Sequence, residues 1–108
     1  MSAFSYLDTL IATIAARVGG DPKRSHTAKL LKRGPARIAK KVGEEAVEVA
    51  ISAAQNNREE VVAESADLLF HLLVLWQAMG ITPADVMAEL AARETQSGIE
   101  EKAARVEE

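Results

Sequence analysis

The chain has no cysteine among its 108 residues, and this absence removes disulfides, thiolate catalysis and cysteine-ligated zinc or iron–sulfur centres. Aromatic residues are scarce at 4%, whereas hydrophobic residues make up 48% and are mostly alanine, valine and leucine. β-rich domains lean on aromatics and threonine, while helix packing uses the residues that are abundant here, so an all-α domain is expected. There is no excess of positive charge either. A net charge of −3 and a pI near 5.4 give no general electrostatic reason to bind nucleic acid or an anionic membrane. The first 21 residues lack a basic stretch ahead of their apolar positions and read as amphipathic rather than as a signal peptide, so a cytoplasmic location is expected. No repeat, linker or low-complexity tract divides the chain. Residues 1–97 read as a single helical domain, and 98–108 as a highly charged tail.

What is present is helical periodicity punctuated by glycine and proline. Phe4, Leu7, Leu10, Ile11 and Ile14 recur at helical spacing until Gly19–Pro22 breaks the series. The segment from Ser25 to Pro35 reads as a short helix or an ordered loop, with Ser25 as its N-cap. Pro35 opens a third helix to about Gln55, and Asn57 with Glu60 starts a fourth that Gly80 ends at Met79. Thr82, Pro83 and Asp85 then supply a cap, a first-turn proline and a first-turn acid for a fifth helix through about Thr95.

The third helix raises a physical problem. At ~100° per residue, Glu44, Glu48 and Glu45 share one face with Lys41, although like charges at helical neighbours repel. Apolar residues flank this acidic strip on both sides: Ile38, Val42, Ala46, Val49 and Ala53 on one, Val47 and Ile51 on the other. On the fourth helix Glu64, Asp67 and His71 fall within ~60° of arc, and from Leu68 onward the helix is apolar almost all round. That run is shorter than the ~20 residues a bilayer needs, so burial within protein is expected. In so short a chain, such burial implies a homodimer or larger homo-oligomer that completes a helical bundle.

Carboxylates set into an apolar surface must be compensated, since an isolated buried carboxylate costs several kcal/mol or becomes protonated. Lysines and Arg58 could pair one or two of the acids. For all five, Glu-Glu-x-x-Glu on one helix and Glu-x-x-Asp on the next form an all-oxygen ligand set suited to Mg²⁺ or Mn²⁺, so Glu44, Glu45, Glu48, Glu64 and Asp67 are the candidate metal ligands and catalytic acids. A ferritin-like site needs Glu-x-x-His, which does not occur, and no EF-hand loop is present. His71 reads as a support behind the ligands rather than as one of them. The plain alternative is a solvated charged face on a helical dimerisation module.

The residues "EEAVE" and "ESAD", with "SHTAKLLKRGPARIAKKVGEEAVE", "ADLLFHLLVLW" and "DVMAELAAR", resemble the phosphoribosyl-ATP pyrophosphatases within the all-α nucleoside triphosphate pyrophosphatase (MazG-like) superfamily, from about Leu7 to Arg93. The family's usual Ser-Tyr-Thr tripeptide has His26 in place of the tyrosine here. The resemblance implies Mg²⁺-dependent hydrolysis of phosphoribosyl-ATP to phosphoribosyl-AMP and pyrophosphate, a step of histidine biosynthesis. It also implies that Lys29, Lys40 and Lys41 hold phosphates, with Ser25 and Thr27 as local donors. Arg33 and Arg37 are left to meet the phosphate on the substrate's second ribose, and Arg93 is a weaker candidate that could simply support the end of the fifth helix. A general nucleoside triphosphate pyrophosphatase is the alternative within the same class. The zinc-dependent cyclohydrolase sometimes fused to this activity is not expected in a chain without cysteine.

Overall fold

The computed structural model describes residues 2–94, and among these residues it contains five α-helices and no strand. They are α1 (Ala3–Ala16), α2 (His26–Arg33), α3 (Pro35–Ala54), α4 (Arg58–Met79) and α5 (Pro83–Glu94). The expected end of the fifth helix near Thr95 and the tail at 98–108 lie outside the described residues.

The boundaries follow from local chemistry. Ser25 caps α2, its hydroxyl oxygen accepting from the Ala28 amide at 3.1 Å, which resolves the helix-or-loop alternative in favour of a helix. Gly34, at φ +90°, turns the chain directly into α3, whose first residue is Pro35. Asn57 caps α4 by accepting from the Glu60 amide at 3.2 Å. At the other end of α4, Gly80 is left-handed at φ +69° and the Ile81 amide donates back to the Trp76 carbonyl at 2.9 Å, which satisfies carbonyls that the helix itself cannot. Thr82 and Asp85 cap α5 reciprocally: Oδ2 of Asp85 accepts from the Thr82 amide at 2.8 Å and Oγ1 of Thr82 from the Asp85 amide at 3.2 Å.

Three residues separate α3 from α4, and these two helices make the most extensive contact in the chain, an antiparallel αα-hairpin. α2 lies against both of them and α1 against α4. The core is Ile14 of α1, Leu30 of α2, Ile38 of α3 and Leu73 and Val74 of α4, with Leu7, Leu10, Ile11, Phe70 and Trp76 packed around it. Phe4, counted with the apolar face of α1 in the sequence, is instead exposed, because it lies in the first turn beyond the reach of the core. α5 buries no residue and leaves Met87 and Leu90 exposed.

α4 extends well beyond its apolar run. The apolar run after Leu68 is short, but the whole helix has 22 residues and an 18-residue stretch with mean hydropathy 1.4, long and apolar enough to cross a membrane by length and composition alone. Its Leu73 and Val74 pack into the core, as the central helix of a folded domain does. Only 17% of that stretch is buried within the chain, and Val62 and Leu69 are exposed on α4, as are Val47 and Ile51 on α3.

Candidate active site

The antiparallel hairpin brings the acids of its two helices together. One carboxylate oxygen from each of Glu45 on α3 and Glu64 and Asp67 on α4 lies within 4.8 Å of the others. Glu64 and Asp67 are three residues apart and therefore neighbours on α4, and Glu45 meets them from across the hairpin. Glu45 and Glu64 are half-buried and Asp67 is exposed, so the cluster opens outward through Asp67. Partial burial, followed by the charges of Asp67, Glu45, Glu48 and Glu60, raises the pKa of Glu64 above its ordinary carboxylate value.

Of the five acids, the structure thus brings three within one small span. Glu48 is close enough to Glu64 to act on its protonation, but it is exposed and does not share that span. Glu44 is also exposed, and it pairs with Lys41, whose Nζ is 3.7 Å from a carboxylate oxygen of Glu44 and 3.7 Å from one of Glu45. The five candidate ligands therefore divide by position, three converging across the hairpin and two beside them, which wheel angles alone do not report. An octahedral Mg²⁺ with oxygens ~2 Å away has opposite ligands about 4 Å apart. The three-acid span is close to that size and all its donors are hard oxygens, so these residues fit a Mg²⁺ or Mn²⁺ ion.

Arg37, Lys41, Glu45 and Glu48 follow one another at helical steps of three or four on α3, so the basic first half of that helix leads along one face into the acids. Arg37, Lys40, Lys29 and Arg33 are exposed and Thr27 is half-buried. His26, the first residue of α2, is exposed as well. Arg93 pairs with Glu89 at 3.3 Å within α5, which agrees with support of that helix.

Behind the acids sits His71, 7% exposed. Its Nδ1 is 2.7 Å from the main-chain carbonyl of Asp67, and since a carbonyl only accepts, Nδ1–H is the donor. Nε2 is buried and without a partner among the described residues. The Phe70 ring meets the imidazole edge-on at a centroid distance of 5.2 Å. Ser52, buried on α3, is a second polar residue in the interior that sequence reasoning did not single out. A lone serine in an alanine-rich segment carries no periodic signal of its depth.

An αα-hairpin on which carboxylates converge, with a basic approach along one of its helices, defines an all-α domain with an acidic cluster of cation size. Sequence comparison places it more narrowly. The profile of the phosphoribosyl-ATP pyrophosphohydrolase family matches residues 7–94, and the chain belongs to that family. Among its relatives are the phosphoribosyl-ATP pyrophosphatases of Azospirillum brasilense and Rhodospirillum rubrum, each 57% identical over 99 residues. Those alignments cover 92% of this chain and 89% and 85% of the respective relatives. The enzyme of the same name from a Cereibacter sphaeroides strain is 54% identical over 101 residues, 94% of this chain and 98% of the relative.

Proposed function

We propose that this chain is a phosphoribosyl-ATP pyrophosphatase, which hydrolyses the α–β phosphoanhydride of phosphoribosyl-ATP to phosphoribosyl-AMP and pyrophosphate in histidine biosynthesis. The observation that carries the reading is the meeting of Glu45, Glu64 and Asp67 across the hairpin of a chain in this family. These three residues hold Mg²⁺ or Mn²⁺, with Glu44 and Glu48 as flanking acids that complete its neutralising surroundings. When bound, the ion supplies positive charge that offsets the charge developing on the leaving pyrophosphate.

The chain's own groups do the rest. Lys41, four residues and about 6 Å along the helix before Glu45, orients the phosphates toward the acids. Lys41 neutralises Glu44 and Glu45 until substrate arrives. A glutamate of the cluster takes a proton from the attacking water, whose oxygen bonds to the α-phosphorus as the bridge to the β-phosphate breaks. Ser25, Thr27, Lys29 and Lys40 are further phosphate contacts, and Arg33 with Arg37 meets the phosphate on the second ribose.

The apolar exposure of α3 and α4 supports a homodimer or larger homo-oligomer, because a second copy would cover Val47, Ile51, Val62 and Leu69. The deciding experiment is pyrophosphate release from phosphoribosyl-ATP, with ATP and a panel of other nucleoside triphosphates as competitors, in the presence and absence of Mg²⁺. Phosphoribosyl-ATP is expected to be strongly preferred, and Asp67→Asn to lower kcat roughly 100-fold or more. Removing the charge of Arg33 or Arg37 should cost ~1.5–3 kcal/mol of that discrimination. Equal efficiency on ATP would point to a general nucleotide pyrophosphatase, and no pyrophosphate from any substrate to a non-enzymatic helical module.

A further inference from the structure

His71 is an expensive residue in its position. A phenylalanine would fill the same space and pack against Phe70 without leaving a polar atom unpaired, yet the chain keeps an imidazole that is 7% exposed and has an orphaned Nε2. The gain has to come from the other nitrogen. Nδ1–H reaches back one turn of α4 to the Asp67 carbonyl at 2.7 Å. In the helical ladder that carbonyl already receives the His71 amide, so a single residue occupies both of its lone pairs. The peptide plane following Asp67 is thereby fixed from the buried side, and with it the direction of the Cα–Cβ bond that carries the Asp67 carboxylate. Glu64 stands three residues before Asp67 on the same helix.

We infer that His71 is a positioning residue for the acidic site: its Nδ1–H bond to the Asp67 main chain holds the α4 turn so that Asp67 and Glu64 converge with Glu45. The inference rests on the reading of that cluster as a cation site. There is a force to resist, since three carboxylates within 4.8 Å of one another repel and would otherwise splay apart. Pre-ordering the ligands spares an incoming ion that cost, as hydrogen-bonding groups behind metal ligands do elsewhere.

Binding of Mn²⁺ to the protein alone, read by electron paramagnetic resonance without substrate, tests this with three variants. His71→Phe keeps the ring and loses both nitrogens. His71→Gln carries its amide nitrogen at the distance of Nε2, and His71→Asn at the distance of Nδ1. Phenylalanine and glutamine are expected to weaken Mn²⁺ binding about tenfold or more, and asparagine to stay within roughly threefold of wild type because it preserves the donor to Asp67. In EDTA, His71→Phe is expected to melt no lower than wild type, which separates positioning from structural support. Long-range ¹H–¹⁵N spectra of the wild type should show a proton on Nδ1. Unchanged Mn²⁺ affinity in His71→Phe, a loss in His71→Asn as large as in His71→Phe, or an Nδ1 without a proton would each overturn the inference while the cation site stands. A wild type that binds no Mn²⁺ would remove the site and the inference together.

Discussion

At the scale of the residue, the cluster has a thermodynamic signature in the metal-free protein. Glu64 has a folded-state pKa above its ordinary value of 4.5, through partial burial first and its acidic neighbours second. The native state therefore binds its proton more tightly than the unfolded chain, so stability falls as pH rises through the interval between 4.5 and the raised value. Asp85 has the opposite sign: hydrogen bonds from Thr82 lower its pKa below 3.8, so its contribution is present above 3.8 and is lost as pH falls through the lowered value. Urea melts in EDTA at a series of pH values should show stability increasing from neutral pH toward about 4.5, then declining in stronger acid. Glu64→Gln should flatten the first limb and leave the second. A first limb identical in Glu64→Gln would mean that the strain lies elsewhere in the cluster.

At the scale of the element, the helix ends were the most legible part of the sequence. Ser25, Asn57, Gly80 and the Thr82–Asp85 pair act where their chemistry said they would, because a cap needs only residues within one turn of itself. Gly80 offers a clean test, since nothing lies within 4 Å of where its Cβ would sit while its φ of +69° suits only glycine well. Gly80→Ala should destabilise the fold by ~1–2 kcal/mol through backbone strain alone, read as a lowered melting temperature with an unchanged helical spectrum. Periodicity also announced which acids face each other. Depth was not legible: Glu44 and Glu45 are consecutive and lie ~100° apart within one acidic strip, yet Glu45 faces α4 and Glu44 faces solvent and Lys41. That difference is set by how α4 lies against α3, a tertiary fact without a local signature. The orphaned nitrogen of His71 was invisible for the same reason.

At the scale of the whole molecule, the proposed oligomer rests on apolar side chains that one chain leaves uncovered. Val47, Ile51, Val62 and Leu69 are exposed on the two central helices, and α5 buries nothing. Leu69→Asp places a charge where the chain itself makes little contact, so the single domain should tolerate it while an assembly should not. The expected outcome is dissociation to a folded monomer in sedimentation at micromolar concentration, with the helical spectrum retained. A wild type that already sediments as a monomer would remove the oligomer from the proposal.

The three-residue connection between α3 and α4 has a consequence in time as well as in space. All three converging acids belong to one hairpin, with 18 residues between Glu45 and Glu64, so their approach is a short loop closure that belongs to the early stages of folding. Their repulsion then acts on the folding barrier as well as on the final state. Refolding from urea should accelerate with millimolar Mg²⁺, moving the folding arm of the chevron upward. If Mg²⁺ instead slows only the unfolding arm, the hairpin closes after the barrier and the acids meet last.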